Sequence, residues 1–206
     1  MIVKDDGEYG TKDRILETAL DLFSGSGYDA VSISDISSAL GLSKGALYKH
    51  YANKRDILDQ IIREMEKRDM DGAACYDMPT ENPSENDSMV SVDELIAYSK
   101  AQFLYWTTDP FASKFRRMLT LEQYRDPEMG KLYRAYLSAG PLGYVIDILR
   151  SIGYSDPAGS AVKLYAPMFL FYSVYDGASD KDSVIEALNR CLDNACAELK
   201  EEMSLQ

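Results

Sequence analysis

Cysteine and histidine are both scarce in this chain. Its 206 residues include only three cysteines and one histidine. The odd number of cysteines, without paired spacing, argues against a disulfide framework and against a zinc site. We expect Cys75, Cys191 and Cys196 to be reduced thiols that mostly fill the core. The sequence therefore predicts neither a metal nor a cofactor.

Long hydrophobic runs are also absent. No window approaches the ~18 consecutive apolar residues that cross a bilayer, and the start MIVKDDGEYG lacks the pattern of a signal peptide. The composition, with 46% hydrophobic and 27% charged residues, is typical of a globular protein rather than a disordered or fibrous one. We therefore expect a cytoplasmic protein that does not bind membranes.

Enzymatic chemistry has little support in this sequence. A Ser-His-Asp or Cys-His site would need His50 as its base, but that residue lies among lysines inside the predicted DNA-binding segment. Neither the phosphate-binding pattern G-x-x-x-x-G-K-S/T nor the dinucleotide-binding pattern G-x-G-x-x-G occurs. We predict that the protein is not an enzyme.

Positive charge is scarce and concentrated in one place. The chain has 22 Lys and Arg against 34 Asp and Glu, a formal net charge of −12. Residues 41–55, GLSKGALYKHYANKR, nevertheless contain four cations and His50 but no acid. Because nucleic-acid binding depends on local rather than total charge, this basic segment is a candidate DNA contact.

Apolar residues recur at helical spacing through most of the chain, which predicts an all-α fold of about nine helices. Residues 1–10 lack such a period and are interpreted as a flexible arm, and the Pro-, Asn- and acid-rich stretch 77–91 as a loop. The expected helices cover residues 12–24, 32–40, 43–50, 53–74, 92–107, 112–125, 128–152 with a break at Gly140-Pro141, 157–175 and 181–203.

The basic segment coincides with a predicted helix-turn-helix. Ser32, Ser43 and Asn53 stand where helix N-caps belong, and Gly41 permits a tight turn between the first two of these helices. Leu47 would anchor the next short helix in the core, so that Lys44, Tyr48 and Lys49 face outward. Such a helix can enter the DNA major groove.

Residues 11–58 resemble the DNA-binding module of TetR/AcrR regulators. The resemblance rests on the first predicted helix, Gly27-Tyr28, the second helix with its Ser32 cap, and the sequence GLSKGALYKHY followed by Lys54 and Leu58. Departures are mild: Ser32 and Ser38 replace the common Thr and Ala, and Leu40 replaces a frequent Ala. The resemblance implies a three-helix DNA-binding domain, a fourth helix reaching about residue 74 as connector, and a ligand-binding and dimerisation domain over 77–206.

The resemblance also implies roles for individual residues. Phosphates would be held by Ser32, Tyr48, His50 and Lys54, with helix N-terminal amides near Ser43 adding positive charge, while base edges would lie nearest Lys44, Gly45, Ala46 and Lys49. For Tyr48 and Tyr51, packing in the core remains an open alternative.

The C-terminal body is rich in aromatic residues, many of them among the 15 tyrosines of the chain. Buried tyrosine hydroxyls need partners, so a cluster of them can line a cavity for an amphipathic or aromatic ligand, although core packing is the alternative. Pro141 and Pro167 could kink the surrounding helices. The candidate pocket residues are Tyr98, Phe103, Trp106, Tyr133, Tyr136, Tyr165, Phe169 and Tyr172.

A seam of 3-4 spacing near the C-terminus suggests a homodimer. Such a seam needs a partner helix, supplied either by a second copy or by the same chain. The resemblance favours the second copy, with the last two helices of each chain forming a four-helix interface. The candidate interface residues are Ile185, Leu188, Leu192, Ala195 and Leu199.

These features predict a transcriptional regulator, a repressor released from operator DNA by an unknown small molecule. An alternative is a DNA-organising or adaptor protein that binds without any effector, for which the body should be filled. A third interpretation, an enzyme that uses the tyrosine-rich pocket, would require turnover of a bound compound.

Overall fold

A computed structural model of the chain describes residues 10–75, 78–79 and 90–204, and over these ranges the fold is all-α, as predicted. Nearly all of the arm and loop expected at 1–10 and 77–91 lies outside the described residues. The helices are α1 (Thr11–Ser26), α2 (Ile33–Ala39), α3 (Lys44–Leu47), α4 (Lys54–Ala74), α5 (Val92–Thr108), α6 (Pro110–Glu122), α7 (Pro127–Leu137), α8 (Ala139–Ile152), α9 (Pro157–Gly177) and α10 (Lys181–Ser204).

Side-chain caps fix the starts of the first helices after α1. The hydroxyl of Ser32 accepts the Asp35 N–H at 3.2 Å, and the Asp35 carboxylate accepts the Ser32 N–H at 2.7 Å, which completes a capping box. Ser43 caps α3, and Asn53 caps α4 by accepting the Asp56 N–H at 2.9 Å. These caps are the ones that the sequence pattern predicted.

The segment predicted as one interrupted helix over 128–152 forms two helices, α7 and α8. They meet at Ser138, whose backbone is not helical, two residues before the expected break. Pro141 falls in the first turn of α8, where an N–H has no intrahelical acceptor, so it does not kink that helix as expected. A side chain at Gly140 would overlap the Ala135 carbonyl, so the corner requires glycine. Pro167 does lie inside α9.

One continuous core joins the N-terminal helices to the body. Ile15, Phe23, Ile36 and Leu47 are all fully buried between α1, α2, α3 and α4. Helix α1 also packs along α6, which belongs to the body. The helix-turn-helix therefore rests directly on the C-terminal helices through α1 and α4.

The cysteines fill the core less than expected. Cys75 is exposed at the end of α4, whereas Cys191 and Cys196 are half-buried on α10, and all three are free thiols. The prediction of reduced cysteines fits these positions, but the prediction that they mostly fill the core is wrong. Leucines occupy the fully buried positions of α10 instead.

Apolar side chains lie on all faces of helix α9. Neither α9 nor any other helix in the described ranges is long and apolar enough to span a bilayer. Its inner face, which includes Leu164 and Met168, packs against the body, while its outer face stays exposed in the single chain. A helix that is apolar all round is normally covered all round.

Candidate nucleic-acid interface and internal cavity

Helix α3 is held by a tight turn after α2. Gly41 adopts a left-handed φ of 66°, which favours glycine, and the Leu42 N–H donates to the Ser37 carbonyl at 2.9 Å. The helix itself is only four residues long, shorter than the predicted 44–50. Tight turns continue it, since the His50 N–H donates to the Leu47 carbonyl at 2.9 Å.

The residues predicted to contact DNA lie mostly on the solvent side of this segment. Leu47 is fully buried, whereas the Tyr48 side chain next to it is 51% exposed. Ala46 is partly exposed, and the remaining exposed members are Ser32, Ser43, Lys44, Gly45, Lys49 and His50. The core-packing alternative thus does not describe Tyr48. It does describe Tyr51, which is buried and donates its hydroxyl to the Lys12 carbonyl at 3.3 Å.

Lys54, a predicted phosphate contact, makes bonds within the protein that the sequence did not predict. Its ammonium donates to the carbonyls of Tyr28 at 2.8 Å and Val31 at 2.9 Å, and it lies 4.2 Å from the centre of the Tyr28 ring. These contacts tie the start of α4 to the loop between α1 and α2. Two of its three donors are satisfied by the protein itself.

A buried carboxylate joins this loop to the body. Glu122, at the end of α6, accepts the Tyr28 N–H at 3.0 Å, and its side chain is only 2% exposed. Gly27 has a left-handed φ of 88°, and a Cβ there would lie 2.7 Å from the Glu122 carboxylate. On the surface nearby, Arg55 pairs with Glu128 of α7 at 2.7 Å. The helix-turn-helix and the body thus share polar as well as apolar contacts.

A cavity of about 310 Å³ lies between α4, α5, α7, α8 and α9. Five of the predicted pocket residues line it, namely Tyr98, Trp106, Tyr136, Tyr165 and Tyr172. The other three do not. Phe103 is buried behind the wall, and its ring stacks on that of Tyr172 with centroids 5.2 Å apart. Tyr133 is half-buried on another face of α7. Phe169 is 46% exposed on the outer face of α9.

Sequence reasoning missed the contribution of α4 to this cavity. Asp69, Met70 and Ala73 line it, as do Gln102 of α5 and Tyr144 of α8. A signal for Asp69 was present, because it follows the buried Ile61 and Met65 at four-residue intervals. An acid that continues an apolar stripe points to a special environment rather than to a solvated face.

The polar groups of the cavity are tyrosine hydroxyls, one amide and one carboxylate. Tyr98 accepts a hydrogen bond from Gln102 Nε2 at 2.7 Å, and Tyr144 donates to the Pro79 carbonyl at 3.1 Å. Among the residues that the structure describes, none bonds to the buried Gln102 Oε1 atom. Burial, aided by the charge of Asp69, raises the pKa of Tyr98 to about 12, so this hydroxyl stays neutral at physiological pH. In the described part of the chain, no three His, Cys, Asp or Glu side chains cluster closely enough to hold a metal.

The predicted dimer seam on α10 is occupied within the single chain. Leu188 and Leu192 are fully buried and Leu199 is 1% exposed, because α10 packs against α5 and α9 of the same chain. Ala195 is also buried, and Ile185 is half-buried. The same chain therefore covers Leu188, Leu192 and Leu199, because 3-4 spacing does not reveal which chain supplies the covering helix. For Ile185 and Ala195, contact with a second copy stays a prediction.

Comparison with known proteins links this architecture to a family. The model for bacterial regulatory proteins of the tetR family matches residues 15–61, from α1 into α4. IcaR of Staphylococcus epidermidis, the HTH-type negative transcriptional regulator of the biofilm operon icaADBC, is 46% identical over 51 residues, which cover 25% of this chain and 28% of IcaR. Residues 15–61 are thus similar to the DNA-binding region of tetR-family regulators.

The C-terminal body is matched by fold rather than by sequence. IcaR of Staphylococcus aureus is 28% identical over 109 residues, which cover 52% of this chain and 50% of that relative. The chain thus spans about half the length of this relative. The structure of a SmeT–triclosan complex matches with a TM-score of 0.65 at 18% identity, covering 91% of this chain and 90% of SmeT. SmeT is the repressor of the Stenotrophomonas maltophilia multidrug efflux pump SmeDEF.

Proposed function

We propose that this chain is a repressor that binds operator DNA as a homodimer and is released when a small molecule occupies the cavity. The observation that carries the proposal is the outward, acid-free surface of residues 43–50 in a chain of net charge −12. IcaR and SmeT, both named as negative regulators, support repression. The triclosan bound to SmeT supports a ligand-responsive body.

The exposed surface of α3 and its following turn would lie in the major groove. Lys44, Gly45, Ala46 and Lys49 would approach base edges, with the two small residues allowing a close approach. Tyr48 and His50, together with Ser32 and Ser43, would contact the flanking phosphates and set the register. Leu47 fixes this surface because its fully buried side chain prevents α3 from rotating.

The test is a gel-shift titration of the DNA upstream of the chain's own gene, at several salt concentrations. Lys44→Ala with Lys49→Ala removes two cations per copy, so a dimer should lose about four units of slope in log affinity against log salt if all four contact phosphate, and less if some contact bases. Lys131→Ala, an exposed lysine on α7, is the matched control. Unchanged binding by the double variant would refute the assignment of α3.

The outer face of α9 is the surface that we assign to the homodimer. Val162, Phe169, Leu170 and Val174 are 43–60% exposed and recur at helical spacing along one side of that helix. Val162 and Phe169 lie seven positions apart and Leu170 and Val174 lie four apart, so together they form one apolar stripe. A second copy related by a two-fold axis would cover this stripe with its own α9.

Sedimentation velocity tests this interface. Leu170→Glu places a charge in the middle of the stripe and should convert dimers to monomers. Leu121→Glu changes an exposed leucine on α6, away from the stripe, and should leave the dimer intact. Equal sedimentation of the two variants would argue against an α9 interface.

Helix α4 provides the physical link between ligand and DNA. Its first residue, Lys54, is bonded to the loop before α2, and its last two turns contribute Asp69, Met70 and Ala73 to the cavity wall. A ligand that displaces this wall would tilt α4 and carry the helix-turn-helix with it. The two reading surfaces of a dimer would then no longer match half-sites roughly 34–36 Å apart.

The cavity also bears on the alternative of an effector-independent DNA-binding or adaptor protein. That alternative predicts a filled body, whereas about 310 Å³ of space lies beside α4. Folded interiors are otherwise packed with few voids larger than a water molecule. The geometry therefore favours the ligand-responsive regulator.

A further inference from the structure

The charge of the cavity wall restricts what can bind there. Apart from the neutral tyrosines, Asp69 is the ionisable residue among the described lining residues, and no Lys, Arg or His shares that wall. A carboxylate or phosphate ligand would meet a like charge without a compensating cation. Burial of such an anion beside Asp69 is costly, because desolvated charges need opposite partners.

Asp69 itself lacks an opposite charge in the described structure. None of the ion pairs there includes it, although Arg68 precedes it on α4 and Arg116 lies on the neighbouring α6. Arg68 bonds to Glu64 at 2.8 Å and lies over the Phe111 ring, while Arg116 makes paired bonds to Asp176 at 2.6 and 2.8 Å. Both cations are thus committed to other acids, and burial raises the pKa of the Asp69 carboxyl above its ordinary value.

The remainder of the wall suits a cation with an apolar body. Trp106 offers a ring surface of the kind that attracts organic cations, whereas Tyr172, whose ring already contacts Phe103 and Arg116, adds apolar area. The buried Gln102 Oε1 lacks a donor and could accept one from a ligand ammonium. Small apolar groups, such as Ala73 and Val145, complete the lining.

We propose that the cavity selects an organic cation, an amine or quaternary ammonium with an apolar or aromatic body, whose charge lies beside Asp69. This inference rests on the proposed function only in taking the cavity as the effector site. It also explains why an acid interrupts the apolar stripe of α4, where a leucine would pack without desolvating a charge.

The test uses three probes with one carbon skeleton, 6-phenylhexylamine, 6-phenylhexan-1-ol and 6-phenylhexanoate, titrated into the full-length protein at neutral pH. Trp106 is the only tryptophan of the chain and lines the cavity, so its fluorescence reports binding there. The amine should bind about tenfold or more tightly than the alcohol, and the carboxylate more weakly than both.

Two variants identify the group responsible. Asp69→Asn keeps the shape of the side chain and should reduce the preference for the amine to less than about threefold. Asp71→Asn makes the same change of charge at an exposed position of α4 outside the cavity wall and should retain the wild-type preference. Circular dichroism of both variants checks folding, and the selectivity of the wild type stands without them.

The outcomes separate this inference from the proposed function. Equal or tighter binding of the alcohol or carboxylate by the wild type, or an undiminished amine preference in folded Asp69→Asn, would overturn the inference while leaving an effector cavity. Failure of all three probes to change Trp106 fluorescence up to millimolar concentration would also overturn it. If the amine binds as expected but does not release DNA in a gel shift, cation selection stands and ligand-controlled release fails.

Discussion

The two ends of α4 belong to surfaces of opposite character. At its N-terminal end, the neighbouring α3 presents lysines, a histidine and a tyrosine to solvent over a small buried core. At its C-terminal end, aromatic rings surround a space that contains one desolvated carboxylate. The first surface suits a polyanion and the second disfavours anions. Ligands of opposite charge would therefore bind at opposite ends of α4 without competing for one site.

The largest effect is expected where the DNA surface depends on its core. Leu47→Ala should lower the free energy of unfolding by about 2–5 kcal/mol, because the side chain is fully buried at the centre of the helix-turn-helix. Tyr48→Ala, one residue away and half exposed, should change it by about 0.5 kcal/mol or less but should weaken DNA binding. Urea denaturation and gel shifts measure the two effects. Similar stability losses in both variants would mean that residue 48 also packs in the core.

An intermediate effect is expected at the junction between the two regions. Glu122→Ala leaves the Tyr28 N–H without its buried acceptor and should cost about 1–3 kcal/mol in the free energy of unfolding. Glu122→Gln keeps an acceptor oxygen and should cost less than half as much. Chemical denaturation of both variants checks this order. A glutamine variant as unstable as the alanine variant would show that charge, not hydrogen bonding, holds the junction.

The smallest effect concerns the surface pair that also crosses this junction. Glu128→Gln removes one of the two acidic partners of Arg55, which keeps Asp59, and the side chains of Arg55 and Glu128 are both more than half exposed. We expect a loss of about 0.2–1 kcal/mol, because solvent and salt screen such pairs. The loss should shrink further in 1 M salt, as thermal unfolding at two ionic strengths would show. A larger loss that persists in salt would place this pair with Glu122 as a structural link.

The helix-turn-helix could be predicted from the sequence because the caps and the turn that define it depend on neighbouring residues. Ser32, Ser43 and Asn53 each cap a helix within three or four residues of themselves, and Gly41 sets its own turn. Lys54 is the exception. Its partners are carbonyls 23 and 26 residues earlier, so only the packing of α4 against the preceding loop reveals them.

The body was less predictable because its determinants are contacts between distant helices. Phe169 could not be assigned to a wall from its spacing, because α9 is apolar on every side. Leu188 and Leu192 repeat at dimer-like intervals, yet α5 and α9 of the same chain cover them. Asp69 had a recognisable anomaly in its position, but its neighbours in the cavity come from four other helices.

The close fit of Gly27 under Glu122 constrains how homologous sequences can diverge. Any side chain at residue 27 would need both an unfavourable backbone and a displaced carboxylate. Replacement of the glycine is therefore tolerable only together with a shorter residue at 122 and a different acceptor for the Tyr28 N–H. In homologues that retain this junction, residues 27 and 122 should change together. An alignment would then show which homologues keep the same contact between the helix-turn-helix and the body.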